Sequence, residues 1–178
     1  MEYFEILNEN GFKTGKIDSR TNVHKLGLHH AAVCILVINE SNQILLQKRS
    51  SNKDSNPDKW DISCAGHVDL EETFEDAAIR ELNEELGIKI NKTDLIELST
   101  VHIHYRSIFH QSTFIENEFD KIFVCHVSDN IPLSLQKDEV QETKWISHDS
   151  LKLFLSTNDH CIYHTILDVI YDYIDRTN

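Results

Sequence analysis

Three glutamates, Glu81, Glu84 and Glu85, lie close together in the segment "RELNEELG". On an α-helix, which turns by roughly 100° per residue, their side chains fall within an arc of about 100° on one face. Like charges at this spacing repel each other and destabilise the helix unless a cation lies between them. Clustered carboxylate oxygens suit Mg²⁺ or Mn²⁺, which also share phosphate oxygens in enzymes. The pattern favours metal-assisted phosphate chemistry, and its alternative is a solvated acidic helix face.

The helix that carries these carboxylates is predicted over residues 73 to 86. Thr73 with Asp76 three residues later resembles a capping box, and Gly87 is a typical C-terminal stop. The face opposite the acids must fix the helix to the rest of the protein. It carries three apolar residues: Ala78, Leu82 and Leu86.

The acidic helix is part of the segment 66–88, "GHVDLEETFEDAAIRELNEELGI". Its fixed positions follow the order Gly66, five residues, Glu72, seven residues, Arg80-Glu81-Leu82, one residue, Glu84-Glu85, one residue, Gly87-Ile88. This arrangement fills every fixed position of the Nudix signature, and the chain is identified as a member of the Nudix superfamily. In this context the solvated acidic face is the less favoured interpretation.

The resemblance implies an α/β/α sandwich with a mixed β-sheet and hydrolysis of a diphosphate bond in a nucleoside diphosphate-linked or related small molecule. The implied cofactor is Mg²⁺ or Mn²⁺, with ligands from the Gly66 carbonyl, Glu81, Glu84 and Glu85, and from Glu116 outside the signature. The metal would neutralise phosphate charge and lower the pKa of bound water for in-line attack on phosphorus.

The catalytic carboxylates implied by the resemblance are Glu85, Glu84 and Glu118. Either Glu85 or one of the pair Glu116 and Glu118 would be the base. Gly66 is expected where the backbone turns sharply at the end of a strand. Glu72 lies just outside the helix, and we expect it to pair with Arg80 and hold the loop against the helix.

Outside the signature, residues 20 to 147 resemble isopentenyl-diphosphate isomerase and its hydrolase relatives. His24, His30 and His67 resemble the histidines of the isomerase metal site, and either His29 or His30 fits the second position. The triplet "ENE" resembles the glutamate pair that completes that site. The resemblance therefore implies a second site for Zn²⁺ or Mn²⁺, whose members would be His24, His30, His67, Glu116 and Glu118; a mixture of imidazole and carboxylate suits these metals.

Positive charge near the substrate is required because the net charge of the chain is -13. A protein of this charge is a poor general partner for nucleic acid or for an anionic membrane, and binds phosphate only where local groups reverse the field. Arg49 and Lys53 resemble a pair that grips a diphosphate in the isomerase branch, and Arg20 resembles another basic group there. Solvated turn residues are the alternative.

The residues directly before Gly66 distinguish a hydrolase from an isomerase. The isomerase carries a cysteine directly before the Gly-His pair, where this chain has Ala65; Cys64 comes one residue earlier. Successive strand residues point to opposite faces, so this slip turns the thiol away from the site unless a bulge restores it. With all three glutamates present, a hydrolase is favoured, an isomerase is the alternative, and a ligand-binding domain without catalysis is the third class.

The elements that must position these residues are mostly strands before and after one helix, followed by helices. Asn-Gly at residues 10–11 predicts an N-terminal β-hairpin. Strands are expected at 29–38, 44–49, 59–68, 94–105, 116–127 and 139–147, with closing helices near 148–155 and 160–175. A mixed sheet with helices packed on it follows, in one domain spanning 1–178.

No transmembrane helix is expected, because no run of 18 apolar residues occurs. The acidic N-terminus does not resemble a signal peptide, so a cytoplasmic location is expected. The four cysteines form no CxxC pair and are expected to be buried reduced thiols. The expected partner is a small-molecule diphosphate, without nucleic acid or membrane, and the resemblance is compatible with a homodimer.

Overall fold

The computed structural model of the protein describes residues 2–109 and 112–177. Its strands are β1 (Tyr3–Leu7), β2 (Lys13–Ser19), β3 (His30–Asn39), β4 (Gln43–Arg49), β5 (Trp60–Asp61), β6 (Cys64–His67), β7 (Leu95–Phe109), β8 (Ser112–Val127) and β9 (Val140–Ser147). Its helices are α1 (Arg20–Leu26), α2 (Phe74–Leu86), α3 (His148–Thr157) and α4 (His164–Thr177). No helix in the described part of the chain is long and apolar enough to cross a membrane.

A mixed seven-stranded sheet forms the centre of the protein. Its path is β5-β4-β3-β8-β7, with β6 added to β3 and β9 added to β4. Strands β3 and β8 run parallel, and the other pairs run antiparallel. A separate hairpin of β1 and β2 precedes the sheet. The predictions of a mixed α/β sheet, an N-terminal hairpin and C-terminal helices are confirmed.

The sheet opens between β3 and β4. In the described residues these strands share one paired position, Ile38 with Ile44. Beyond it, β3 pairs with β6 through residues 32–35, while β4 pairs with β5 and β9. The two strands therefore diverge, and side chains from both faces of the sheet can reach one cavity at the split.

Each face of the sheet has its own apolar core. Helix α2 packs on one face, against a cluster that includes Val33, Ile35 and Phe123. Helices α3 and α4 pack on the other face, against Leu36 and Ile122. Neighbouring residues of β3 and β8 thus belong to opposite layers, as the two-residue period of a strand requires. The result is the predicted sandwich of helices around a sheet.

Helix α2 has the predicted boundaries within one residue. The Thr73 side chain accepts a hydrogen bond from the Asp76 amide at 3.2 Å, and Gly87 ends the helix at a φ of 72°. The three residues of the predicted apolar stripe, Ala78, Leu82 and Leu86, are fully buried. This packing fixes the acidic face of α2 toward the split in the sheet.

Strands β7 and β8 extend beyond the predicted ends at 105 and 116, to Phe109 and from Ser112, and three further details differ from the sequence prediction. Helix α1 was not predicted because its seven residues are too few to show a period; Ser19 caps it and Gly27 ends it with a φ of 65°. The strand predicted at 59–68 is two strands, β5 and β6. Helix α4 begins at His164 rather than near 160, because the Cys161 amide bonds the Trp60 carbonyl at 2.9 Å.

Candidate active site

One cavity of about 600 Å³ lies at the split in the sheet and is bordered by α1, α2, β6, β8 and the loop after β4. Most residues singled out from the sequence line it, namely Arg20, His24, Arg49, Lys53, Gly66, His67, Arg80, Glu81, Glu84, Glu85, Glu116 and Glu118. His30 is fully buried beside the cavity, and Glu72 lies behind Arg80. The fold therefore brings residues from distant parts of the sequence to one place.

The α2 carboxylates differ in exposure. Glu85 is 5% exposed, whereas the side chain of Glu84 is 50% exposed. Gln47 donates to Oε2 of Glu85 at 3.1 Å, and the Cys64 thiol contacts the same oxygen at 3.3 Å. Burial and the neighbouring charge of Glu85 raise the pKa of Glu81 to about 7, and burial also raises the pKa of Glu85. Without a cation, this cluster resists carrying its full negative charge.

Glycine is required at position 66 because of close packing, and not because of the sharp turn that the sequence predicted. It lies within β6, opposite Val33, and its φ is not in the left-handed region. A Cβ atom at this position would overlap the carboxylate of Glu81. The absence of a side chain at Gly66 therefore lets the Glu81 carboxylate lie against the strand backbone.

Arg80 organises the acidic side of the cavity. Its guanidinium donates to both carboxylate oxygens of Glu72 at 3.0 Å, as expected from the sequence, and to the His67 carbonyl at 2.9 Å. It also pairs with Glu81 at 2.7 Å and with Glu84 at 3.3 Å. Arg80 thus joins the loop, β6 and α2, and offsets part of the repulsion among the carboxylates.

A second group of potential ligands lies on the other face of the sheet. One ligand atom from each of His24, His30, His67 and Glu118 falls within 4.8 Å of the others. Nε2 of His30 lies 3.0 Å and Nε2 of His67 lies 3.3 Å from the same oxygen of Glu118. His30, rather than His29, occupies this group, because adjacent strand residues face opposite sides.

The hydrogen bonds of the histidines determine which ring nitrogens are free to bind a cation. Nδ1 of His30 lies 2.9 Å from the Leu28 carbonyl, so this nitrogen must donate a hydrogen bond to the carbonyl oxygen. In the neutral ring, Nε2 then carries no proton and is an acceptor, although it faces a carboxylate oxygen of Glu118, which is also an acceptor. Nε2 of His24 is buried without a partner among the described residues. A proton or a metal ion between these atoms would satisfy them, which is the arrangement of a metal-ligand histidine.

The pKa of the carboxylate in this group is shifted in the opposite direction to the pKa values of the buried carboxylates on α2. Burial lowers the pKa of His24 to about 3 and lowers that of His67. Although burial alone would raise the pKa of Glu118, the neighbouring rings of His30 and His67 hold it well below the ordinary value. Neutral rings of His24 and His67 beside an ionised Glu118 are the protonation states in which these side chains bind a metal.

Glu116 lies two residues before Glu118 on the same face of β8. Its carboxylate accepts a hydrogen bond from the Tyr163 hydroxyl. Burial and the charge of Glu118 raise the pKa of Glu116 to about 7. Glu116 lines the cavity but lies outside the four-residue histidine group.

The three basic residues all reach the cavity, but each has an acidic partner. Arg20 pairs with Asp54, and Lys53 pairs with Glu139. Arg49 donates to Asp61 at 3.2 Å and to the Ser55 carbonyl at 3.1 Å. A phosphate group at this end of the cavity would have to share these cations with the carboxylates.

The cysteines near the site lie on different faces. Cys64 is on the α2 face and contacts Glu85, as expected from its position in the strand. Ala65 is on the opposite face, where its partner in the β3–β6 register is Cys34. All four cysteines of the chain are free thiols. A thiol is therefore present beside Ala65, supplied by a strand that the sequence did not connect with it.

Sequence reasoning did not identify Gln47, Tyr163 or Asp120, which contact or line the site. Asp120 could have been found from the two-residue spacing of acids along a strand, at 116, 118 and 120. Gln47 and Tyr163 carry no such signal, because their partners are distant in sequence.

The family model described as "NUDIX domain" matches residues 28–165. "Nudix hydrolase 3" of Arabidopsis thaliana is 40% identical over 162 residues, which is 89% of this chain and 21% of that protein. The chain thus spans about a fifth of that relative. "Isopentenyl-diphosphate Delta-isomerase" of Cereibacter sphaeroides is 33% identical over 131 residues, covering 73% of this chain and 71% of the relative.

A solved structure with the same fold is that of DR0079 from Deinococcus radiodurans. It aligns with a TM-score of 0.73 and covers 96% of this chain and 98% of its own chain, at 17% sequence identity. At that identity the likeness concerns the fold alone.

Proposed function

The chain belongs to the NUDIX domain family, and from that premise we propose that it hydrolyses a diphosphate bond in a small-molecule substrate by attack of water on phosphorus. The observation that carries the proposal is the cluster of Glu81, Glu84 and Glu85 at the cavity, with a raised pKa at its two buried members. Carboxylates that repel one another in a substrate-sized cavity are arranged for a cation and its phosphate ligands.

Mg²⁺ or Mn²⁺ fits this donor set. The ligands would be the carboxylates of Glu81, Glu84 and Glu85 and the carbonyl of Gly66, which are hard oxygen donors. The space left by the missing Cβ of Gly66 supports the assignment, because it is filled by the Glu81 carboxylate. When bound, such an ion neutralises phosphate charge and makes water more acidic.

Glu85 is the proposed base. Gln47 and Cys64 both contact its Oε2 and hold that oxygen in place, and we assign the acceptance of the proton from water to Oε1. Its burial favours the neutral form, so Glu85 holds a proton more readily than an exposed glutamate does. Glu84, which is half exposed, and Glu118, across the cavity, are the other candidates for this role.

Arg49, Lys53 and Arg20 are proposed to bind the phosphate that does not react. Their present partners, Asp61, Glu139 and Asp54, hold the three cations in the cavity of this acidic protein. Exchange of one carboxylate contact for a phosphate contact keeps the charge of each arginine or lysine paired, which lowers the cost of binding.

A second metal site is proposed at His24, His30, His67 and Glu118, with Glu116 as an adjacent carboxylate. The unpartnered Nε2 of His24 and the facing acceptors of His30 and Glu118 support it. The mixed nitrogen and oxygen donors favour Zn²⁺ or Mn²⁺ over Mg²⁺.

Isomerisation of an isopentenyl diphosphate is the second candidate function. The histidine group and the thiol of Cys34 beside Ala65 favour it. Against it, the thiol nearest the signature, Cys64, faces Glu85 on the other side of the sheet, and the signature keeps all three glutamates. The same three glutamates argue against a binding domain without catalysis.

The test is a phosphate-release screen over diphosphate substrates with Mg²⁺ or Mn²⁺. We expect wild-type protein to release phosphate or a phosphate ester, and Glu85→Gln to lose about 10²- to 10⁴-fold in turnover. Glu75→Gln is the matched control, because Glu75 lies on the same helix but does not line the cavity. Near wild-type turnover by Glu85→Gln would remove Glu85 from the mechanism. A parallel assay for deuterium exchange into isopentenyl diphosphate separates hydrolase from isomerase.

A further inference from the structure

Strand β2 has an edge that no other strand covers. In the described part of the chain it pairs with β1 alone, and the hairpin of β1 and β2 is separate from the central sheet. Its first five residues, Lys13 to Ile17, are all exposed. An edge of this kind presents a row of backbone N–H and C=O groups that can pair with a strand of another chain. Because a two-stranded hairpin is marginally stable by itself, a further strand would stabilise it.

Exposed apolar side chains lie beside this edge. Ile17 pairs with Glu5 of β1, on the opposite face of the hairpin from the buried Phe4, and is 57% exposed. Phe12, in the turn before β2, is also exposed. Removing such side chains from water is favourable, so contact with a second surface would stabilise both partners.

The distribution of charge favours a second copy of this chain at the same place. Residues 1–27, which include the hairpin and α1, carry four acidic and four basic residues and are therefore neutral. The net charge of -13 resides in the rest of the chain. Two copies repel each other through their acidic remainder, so contact through the neutral hairpin has the smallest electrostatic cost.

The sequence of β2 is complementary to itself in one antiparallel register. Lys16 and Asp18 flank Ile17, and as residues two apart they lie on the same face of the strand. When two copies of β2 pair about a two-fold axis through Ile17, each lysine lies opposite the aspartate of the second copy, and the two isoleucines lie opposite each other. An axis through Lys16 would instead bring the two lysines together. Asp18 is able to take part, because its hydrogen bonds from the Ser19 amide and the Asn22 side chain both use Oδ1.

We propose that two copies of this chain associate by antiparallel pairing of their β2 strands, centred on Ile17, into a four-stranded sheet of the order β1-β2-β2-β1. The same surface contributes on both sides, so the pairing closes with two copies. The inference does not depend on the proposed hydrolysis. The pairing would also steady one wall of the cavity, because Arg20 follows β2 directly and Phe4 of β1 stacks on the rings of His30 and His67.

Cysteine cross-linking of the full chain tests the register. Ile17→Cys places two thiols opposite each other on the axis, with Cβ atoms about 5 Å apart, and we expect diamide to give a disulfide-linked dimer. Lys13→Cys is the matched control, because its two copies would lie about 26 Å apart along the strands. Wild type controls for the four native cysteines, three of which are buried. Equal cross-linking of Lys13→Cys and Ile17→Cys would overturn the register.

Exchange of charges tests the complementarity by sedimentation velocity. We expect wild type to dimerise with a Kd of about 1–100 μM, because the interface is small. Lys16→Glu and Asp18→Lys each place like charges opposite each other and should raise the Kd by about tenfold or more. An equimolar mixture of these two variants restores opposite charges at both positions and should recover the wild-type affinity. Lys25→Glu, the same change of charge within α1, is the control and should leave the Kd unchanged.

Three results would overturn the inference: a wild type that stays monomeric above this range of concentration, a dimer unaffected by Lys16→Glu, or a mixture no tighter than its separate components. Because Asp18 also accepts hydrogen bonds at the start of α1, circular dichroism must show that Asp18→Lys is folded. If it is not, Lys16→Glu and Ile17→Cys decide the question. Diphosphate hydrolysis by a monomeric wild type would leave the proposed function standing without the dimer.

Discussion

The acidic face of α2 and the histidine group on α1, β3, β6 and β8 border the same cavity from opposite faces of the sheet. On α2 the candidate ligands are all carboxylates, they repel one another, and burial raises the pKa of Glu81 to about 7. In the histidine group, imidazoles contact a single carboxylate, Glu118, whose pKa is held well below the ordinary value. The first arrangement suits a hard cation that arrives with phosphate, and the second suits a resident transition metal.

The two proposed sites would place two kinds of metal chemistry in one cavity without mixing them. The sheet separates the two groups, because neighbouring residues of β6 point to opposite sides: Gly66 toward α2 and His67 toward the histidines. Variants that disturb one group and leave the other intact therefore test whether hydrolysis belongs to α2 alone.

The largest expected effect comes from Gly66→Ala. The new Cβ would overlap the Glu81 carboxylate and displace it from the strand, while the histidine group is on the other face. We expect kcat/KM to fall by about 100-fold or more, equivalent to about 3 kcal/mol of transition-state stabilisation. Steady-state kinetics at saturating Mg²⁺ measures it. Ala65→Gly, at the adjacent position, is the control, and equal losses in the two variants would argue for a general effect on β6.

The second-largest effect is expected on the stability of the metal-free protein when Glu81 is replaced by glutamine (Glu81→Gln). The folded-state pKa of Glu81, about 7, lies above its ordinary value of 4.5, so its contribution to stability is complete below about pH 4.5 and is lost as the pH rises through about 7. Glu81→Gln should therefore stabilise the protein in EDTA by about 1–3 kcal/mol at pH 8 and by little at pH 4.5.

Denaturant unfolding at the two pH values measures this effect. Added Mg²⁺ should stabilise wild type at pH 8 more than it stabilises Glu81→Gln. Destabilisation by the glutamine at pH 8 would show that the carboxylate is accommodated without a cation, against the assignment of α2 as a metal site.

A smaller effect on hydrolysis is expected from His67→Ala. If the histidine group holds a resident metal, this variant should lose the bound Zn²⁺ or Mn²⁺ seen by elemental analysis, while kcat with added Mg²⁺ falls by less than about tenfold, or about 1.4 kcal/mol. His104→Ala, a histidine that does not line the cavity, is the control. Absence of bound metal in wild type, with no change in His67→Ala, would contradict the second site.

The smallest expected effect is that of Lys53→Met. Lys53 is paired with Glu139, and the proposed phosphate contact replaces only part of that interaction. We expect KM to rise by about three- to tenfold, with kcat nearly unchanged, because the phosphate it contacts does not react. Lys89→Met, on the surface beyond α2, is the control. A fall in kcat instead would place Lys53 at the reacting phosphate.

The parts of the site that are local in sequence could be predicted, and those made by distant segments could not. Helix α2, its cap at Thr73 and its stop at Gly87 follow from spacing within one turn or two. The contact of Arg80 with Glu72 follows in the same way. By contrast, the sequence pointed to a turn at Gly66, whereas the reason for glycine there is the approach of Glu81 from another element.

Pairing between strands that are distant in sequence also settles points that the alternation of residues along a single strand leaves open. The choice between His29 and His30 depends on the register of β3 with β8, which pairs His30 with Glu118 and brings their side chains into contact. The thiol of Cys34 beside Ala65 depends on the β3–β6 register. Helix α1, which carries His24, was missed because a helix of seven residues shows no period.

The central claim is that the carboxylates of α2 direct water to phosphorus. Its most direct test is hydrolysis in ¹⁸O-labelled water with Mg²⁺, with mass spectrometry of the products and, in parallel, deuterium exchange into isopentenyl diphosphate. We predict one ¹⁸O atom in a phosphate product for each turnover, no carbon-bound deuterium, and loss of both label and turnover in Glu85→Gln. Deuterium exchange without ¹⁸O in phosphate, or labelling unaffected by Glu85→Gln, would contradict the account.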